Sequence, residues 1–371
     1  MHSETLQRLI RPQVAGLPVY DPGADPAAVM RQYGVSRVIK LSNNENPLGM
    51  SPKAARAIEQ CLAHGLGRYP DPAGKALCLA LAERHDLPPE NIILGNGSEN
   101  ILELLCQAYL NPGDRVVTQT PCFGLHEIFP AMMGARLTKV APAPAFGCDL
   151  DGWRTALQEP LKLLLISQPS NPVGTALNRD ELHAIVQACP ADCLLVIDEA
   201  YYEYAVSDPD YPDALQVLRQ QQRPWIVLRT FSKAHGLASL RVGYGLASHA
   251  SLVEALHRVR TPYNVNQLAQ AAALAALDDS EHLQRSVTLV TGERDRVSSA
   301  LRTAGYQVAS SLANFLFIET DTAASVTVQR LLRSGVIVKA WREPQFLRFI
   351  RMSLALPADN DQFLHALTAA D

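Results

Sequence analysis

The sequence predicts an α/β fold. A large domain carries a seven-stranded, mostly parallel sheet flanked by helices. A smaller α+β C-terminal domain and an N-terminal arm complete it. Two patterns lead to this expectation. From about residue 50 to 262, short apolar runs alternate with helical stretches, the mark of a largely parallel sheet covered on both faces. After about 262 the order changes to long alanine- and leucine-rich helices followed by interleaved strands and helices. The length of 371 residues suits one large domain plus a smaller one.

Taken in order, residues 1–34 read as an arm, because "RPQVAGLPVYDPGADP" holds proline and glycine too often for regular structure. A helix is expected at 25–33, with Asp25 as N-cap and Pro26 at the first position. The large domain is assigned to 35–262. Its helices are expected near 52–63, 74–85, 98–110, 123–133, 149–158 and 178–188. Its strands are "NIIL" (91–94), "DRVVTQ" (114–119), "ARLTKV" (135–140), "LKLLLIS" (161–167), "CLLVID" (193–198), "WIVLRT" (225–230) and "RVGYGLA" (241–247). The small domain is assigned to 263–371. Helices are expected at 266–278, 280–304, 322–334 and 359–369. Strands are expected at 306–309, 314–319, 336–340 and 347–355.

Bulk composition narrows the function classes. Hydrophobic residues make up 47% and charged residues 19%, as in ordinary globular proteins. A net charge of -4 offers nothing to attract nucleic acid. The basic clusters "RQQQR" (219–223) and "HRVR" (257–260) read as solvated helix faces. Seven cysteines at irregular spacing form no C-x-x-C pair, so no metal site is expected and the thiols read as reduced. "MHSETLQRLIRPQV" lacks the apolar core of a signal peptide, and no apolar run reaches membrane-spanning length. The expected location is the cytoplasm, with no membrane partner.

In an open α/β sheet, ligands bind beyond the carboxyl ends of the strands. Four segments there carry chemistry. "GNGSEN" (95–100) follows a strand and opens a helix, which suits an anion cradle at Gly97, Ser98 and Glu99; a plain strand–helix turn capped by Ser98 reads equally well. "SNPVGT" (170–175) puts the amide of Asn171 at a sheet edge, or is merely a loop. "VIDEAYYEY" (196–204) ends an apolar strand in Asp198. A carboxylate there needs a cation, whether a protonated ring nitrogen or a structural partner. "TFSKAHGLASLR" (230–241) ends another strand in a lysine, in a chain with only seven. Lys233 either snorkels to solvent or, desolvated, becomes a nucleophilic amine. Arg241 and Ser232 suit phosphate oxygens. Together they form an anion site, a donor, a buried acid and a reactive lysine. Pyridoxal 5'-phosphate requires this set.

The motifs "NENP", "RYPDP", "GNGSEN", "SNPVGT", "DEAYYEY" and "TFSKAHGLASLR" occur in an order that resembles the pyridoxal-phosphate-dependent aminotransferases of the aspartate-aminotransferase fold. Within them, "IKLSNNENPLG", "LGRYPDP", "FSKAHGLASLRVGYG" and "VIVKAWREPQFLRFIRMSLALPADN" most resemble the histidinol-phosphate aminotransferases. Relatives that act on aromatic amino acids or decarboxylate threonine phosphate remain as alternatives. The resemblance implies that Lys233 binds the cofactor covalently and that Asp198 pairs with its pyridine nitrogen. It implies that Asn171 and Tyr201 bond its phenolic oxygen and that Phe123 stacks on its ring. Ser98, Glu99, Ser232 and Arg241 match its phosphate site. Tyr69 matches a residue that reaches the neighbouring subunit's cofactor in a homodimer. Arg351, Tyr20 and Asn46 match substrate-binding positions, for histidinol phosphate in one half-reaction and for glutamate or 2-oxoglutarate in the other. The alternatives are a core phenylalanine for Phe123, a turn residue packed beside Pro70 for Tyr69 and, reading equally well, a tyrosine that anchors the arm for Tyr20. Arg348 and Arg351 stand three apart on one strand, so alternation lets only one face the site. Ala355, Ser239 and His235 depart from the family pattern, and these positions are expected near the phosphate or the arginine strand. A catalytically inert regulator of the same fold would need a DNA-binding segment that is not evident, and "GNGSEN" lacks the full dinucleotide-binding pattern.

Overall fold

The computed structural model describes residues 2–19 and 23–369. A two-residue strand, β1 (Ile39–Lys40), precedes the large sheet. That sheet comprises β2 (Ile92–Gly95), β3 (Arg115–Gln119), β4 (Arg136–Val140), β5 (Leu163–Ser167), β6 (Leu194–Asp198), β7 (Trp225–Thr230) and β8 (Gly243–Ala247). The strand order is β2-β8-β7-β6-β5-β3-β4. All neighbours run parallel except β8, which is antiparallel to both β2 and β7.

Successive side chains of a strand point to opposite faces, so an unbroken apolar run feeds two cores. Leu164, Ile166, Leu195, Ile197 and Val227 enter one core, with residues of the helices Pro52–His64, Lys75–His85 and Arg179–Ala188. Leu163, Leu165, Leu194, Val196 and Ile226 enter the other, with the helices Ser98–Tyr109 and Ala250–Val259.

The later strands are β9 (Gln307–Val308), β10 (Phe315–Glu319), β11 (Val336–Ile337), β12 (Lys339–Ala340) and β13 (Phe349–Ser353). An antiparallel sheet orders them β12-β13-β10-β9, while β11 pairs in parallel with β1. The apolar faces of β10 and β13 pack with Val290, Val297 and Leu301 of the long helix Ser280–Thr303 and with Phe363 of the last helix, Pro357–Thr368.

The structure redraws several expectations. The helix Gln267–Leu277 packs Ala269, Ala272, Ala273 and Ala276 into the large-sheet core, so this segment does not belong with the C-terminal region. Conversely, Ile39 and Leu41 join the C-terminal core, and Val29 packs with Leu332 and Ile337. Hydrophobic area decides these memberships, and chain position does not. The proline-rich arm contains regular structure after all, with helices His2–Leu9 and Pro12–Ala15. The expected strand 336–340 splits at Val338, and its halves pair with different partners. "RQQQR" is no solvated helix face: Arg223 donates to the carbonyls of Val186 and Cys189 at the end of the helix Arg179–Ala188. Asp25 caps the helix Pro26–Tyr33 as expected, accepting from Ala27 and Ala28.

Candidate active site

Asp198 and Ser167 end β6 and β5, and Thr230 ends β7. Arg241 reaches the same edge differently. Because β8 runs backwards, its first residue Gly243 sits opposite Thr230 and Gly95. The residue two positions before an antiparallel strand thus lands beside the carboxyl ends of its neighbours. These loops wall a cavity of about 1320 Å³, with Lys339–Glu343 and Arg351 from the C-terminal region closing one side.

Lys233 lies in this cavity three residues past β7. Its Nζ donates to the carbonyl of Asn43 at 3.0 Å. Burial, reinforced by the guanidinium groups of Arg351 and Arg241, pulls the amine down to about 8, against the opposing pull of Glu45 and Glu99. A lysine so placed holds a larger share of its neutral, nucleophilic form near physiological pH than an exposed lysine does.

Asp198 is buried, and its two oxygens have separate partners. Oδ1 accepts from the amide of Ala200 at 3.1 Å, and Oδ2 meets His126 Nε2 at 3.1 Å. His126 sits in the first turn of the helix Leu125–Met132, only 1% exposed, edge-on to Phe123. Sequence reasoning did not single it out. The available signal was its position three residues after Phe123, which puts it on the inward face of the same turn.

Asn171, Tyr201 and Arg351 share one network. Tyr201 Oη accepts from Asn171 Nδ2 at 3.3 Å and from Asn44 Nδ2 at 2.9 Å. Asn171 Oδ1 accepts from Arg351 Nη1 at 2.5 Å, and Ser42 O accepts from Arg351 Nη2 at 2.6 Å. Arg351 is buried, with its guanidinium 5.3 Å from the centre of the Phe315 ring. Arg348 points the other way, to Thr320 O and Glu319 at the surface, as strand alternation requires.

A family model described as aminotransferase class I and II matches residues 36–367. The chain belongs to this family. The chain is 45% identical over 360 residues to histidinol-phosphate aminotransferase 3 of Rhizobium meliloti (strain 1021), covering 97% of each. It is also 45% identical to histidinol-phosphate aminotransferase 1 of Mesorhizobium japonicum, covering 97% of this chain and 98% of that one. A crystal structure of histidinol-phosphate aminotransferase from Sinorhizobium meliloti in complex with pyridoxal-5'-phosphate matches with a TM-score of 0.87 at 30% identity, over 97% of this chain and 96% of that one.

The residues present in this aminotransferase fit such a cofactor. Gly97 has a φ of 81°, and a Cβ there would stand 2.6 Å from Arg241 Nη2; a Cβ on Gly243 would stand 2.4 Å from the amide of Ser98. Glycine at both positions keeps the first amide of the helix Ser98–Tyr109 and the Arg241 fork open to an anion. Arg241 itself holds a left-handed φ of 58°, a backbone state a bulky residue adopts only when its surroundings impose it. Its Nη2 donates to Glu99 Oε1 at 2.7 Å. The Glu99 side chain is therefore a partner of the arginine, and only its backbone can serve an anion directly. Ser232 is buried, its Oγ accepting from Thr230 Oγ1 at 3.0 Å.

Other expected residues fall elsewhere. Asn46 is not part of the cavity wall; its amide donates to Ala234 O at 2.8 Å and Ser286 Oγ at 3.0 Å, tying the loop to the long helix. Asn43, Asn44 and Glu45 of the same motif do line the cavity. Tyr69 is 80% exposed and stacks on Tyr263 at 4.5 Å, away from its own chain's cavity. His235 faces the opposite way from Lys233. It is buried against Phe231 and 3.8 Å from Glu203, outside the cavity wall, so it does not neighbour the anion cradle. Ser239 does line the cavity, while Ala355 is held by Asn360, which bonds both its amide and its carbonyl. Tyr20 lies outside the described residues.

Proposed function

We propose that the protein is a pyridoxal-phosphate-dependent histidinol-phosphate aminotransferase. It converts L-histidinol phosphate and 2-oxoglutarate to imidazole-acetol phosphate and L-glutamate, as a step of histidine biosynthesis. The observation that carries this is the convergence of Lys233, Asp198 and Arg351 on one cavity, in a chain similar along almost its whole length to enzymes of that name.

Lys233 would hold the cofactor covalently. Asp198, fixed by His126 and the Ala200 amide, would pair with the pyridine nitrogen and favour its protonated form. Asn171 and Tyr201 would hold the phenolic oxygen, and Phe123 would pack on the ring. Ser98, Ser232, Arg241 and the Glu99 backbone would hold the phosphate. When bound, the cofactor withdraws electrons from the substrate's α-carbon and so acidifies its proton. Once the substrate's amine has taken its place on the cofactor and freed it, Lys233 Nζ would take that proton and return it one position away, which its lowered basicity suits. Arg351 holds the substrate's anionic end. Its fork would donate to the paired oxygens of a phosphate in one half-reaction and of a carboxylate in the other.

Tyr69 reaches the partner subunit's phosphate site in a homodimer. Its exposure and its stacking on Tyr263, outside its own cavity, support this reading. The seven free cysteines fit a reducing compartment such as the cytoplasm, and no helix among the described residues is long and apolar enough to cross a membrane. The test is spectroscopic. The purified protein is expected to be yellow, to bleach on addition of histidinol phosphate and to recover with 2-oxoglutarate. Bleaching by phenylalanine but not by histidinol phosphate would overturn the substrate assignment. Full turnover by Lys233→Ala would overturn the mechanism.

A further inference from the structure

Two amides aim the Tyr201 hydroxyl. Its Oη accepts from Asn171 Nδ2 at 3.3 Å and from Asn44 Nδ2 at 2.9 Å. A phenol oxygen that accepts twice is committed to donate its own hydrogen. Each amide is oriented from its far side. Asn171 Oδ1 accepts from Arg351 Nη1, a group that can only donate. Asn44 Oδ1 accepts from Ser353 Oγ at 2.9 Å, and the same Oγ accepts from the Asn44 backbone N–H at 2.7 Å. The serine gives its hydrogen to Oδ1, which turns Nδ2 toward Tyr201.

Asn44 is held rigidly. It is 1% exposed, with a φ of 56°, a left-handed state that asparagine adopts more readily than bulkier residues. Its carbonyl accepts from the buried Asn314 Nδ2 at 3.0 Å. The two residues before it serve the site through their backbone: Ser42 O accepts from Arg351 Nη2, and Asn43 O from Lys233 Nζ. Ser353 stands two residues after Arg351 on β13, so both side chains leave the same face of the strand toward this strap.

We infer that Asn44, locked by Ser353, is a positioning residue that makes Tyr201 a strong donor to the cofactor's phenolic oxygen. This rests on the proposed function, which puts Tyr201 on that oxygen, and deepens it. A hydrogen bond accepted by a hydroxyl strengthens the one it donates. A strong donor draws charge from the phenolic oxygen. That oxygen then holds less firmly the proton it shares with the nitrogen joined to Lys233, so the proton leaves at lower pH. Weakening Tyr201 therefore raises the pH at which the bound cofactor changes colour.

In the holoenzyme, Asn44→Gly keeps the left-handed backbone and removes the amide. It exchanges one uncharged residue for another. The charges that bear on Lys233, those of Arg351, Glu45, Arg241 and Glu99, stay as they are, as does the Asp198 carboxylate. The pH midpoint of the bound cofactor's visible band is expected to rise by about half a unit to one unit, and the cofactor Kd by about three- to tenfold, the ordinary worth of one neutral hydrogen bond. Ser353→Ala leaves the amide but unlocks it, and is expected to shift the midpoint the same way by a smaller amount. It carries the test if Asn44→Gly does not fold. Tyr201→Phe is expected to give the full shift, and Asn44→Gly added to it no further one. A merely structural role would lower the urea midpoint and leave the spectral midpoint in place. The inference is overturned if Tyr201→Phe shifts the midpoint and neither Asn44→Gly nor Ser353→Ala does. It is also overturned if Asn44→Gly shifts the midpoint equally with and without the Tyr201 hydroxyl. If Tyr201→Phe itself leaves the midpoint unchanged, the proposed place of Tyr201 on the phenolic oxygen fails, and the inference with it.

Discussion

The contact between His126 and Asp198 yields a sharp prediction. Asp198 is 8% exposed and accepts two hydrogen bonds, one from the Ala200 amide and one from His126 Nε2 at 3.1 Å. His126→Ala removes one of the two and leaves a small void beside Phe123. A hydrogen bond to a charged group contributes about 1.5–3 kcal/mol, or roughly 10- to 150-fold. If Asp198 acts on the cofactor ring, that loss falls on the chemical step and on cofactor affinity, and less on substrate binding. The assay is kcat at saturating histidinol phosphate and cofactor, together with the cofactor Kd from fluorescence quenching. His126→Asn, which can still donate to the carboxylate, is expected to recover part of the loss. If His126→Ala keeps kcat and cofactor Kd within twofold of wild type, His126 does not position Asp198 and the argument fails.

Three further predictions follow from other contacts. Arg229 is buried, donating to Glu199 Oε2 through Nε at 3.0 Å and Nη2 at 2.7 Å and to Asp213 at 3.2 Å; Arg229→Ala strands the fully buried Glu199 and is expected to cost about 3–5 kcal/mol in urea unfolding, whereas Arg229→Ala and Glu199→Ala combined should cost less than the sum of the two single changes. Arg351→Lys loses the fork that spans Asn171 and Ser42, so steady-state kinetics are expected to show KM raised tenfold or more for both histidinol phosphate and 2-oxoglutarate. Glu203 has a buried oxygen without a partner, and burial pushes its carboxyl from 4.5 up to about 7. The folded state then keeps a proton the unfolded chain gives up, so stability declines as pH rises from 4.5 to about 7 and is level above. Glu203→Gln removes this dependence, with a gain on the order of 3 kcal/mol at pH 8 and little at pH 4.5 in denaturant titrations.

Much of the site was legible because its residues sit at strand ends, and strand ends are visible as the close of an apolar run. Lys233, Asp198 and Asn171 were found this way. Arg241 was found for a reason the structure amends, since it precedes an antiparallel strand instead of following a parallel one. His126 was not legible. It is an ordinary polar residue in its own segment, and its meaning comes from Asp198, far away in sequence. His235 shows the converse: a motif position two residues from Lys233 points into the core and takes no part in the cavity.

The sequence by itself determined the order and type of the main elements, because apolar periodicity and helix caps are local and the backbone must satisfy its hydrogen bonds locally. It also determined the inventory of reactive groups and the family they resemble. Only the tertiary structure decided which helix joins which core, as with Gln267–Leu277. It alone set the reversed direction of β8 and the Arg351–Asn171–Tyr201 network. These depend on contacts across long stretches of chain, where burial of apolar area and pairing of desolvated charge choose among arrangements that local sequence leaves equal.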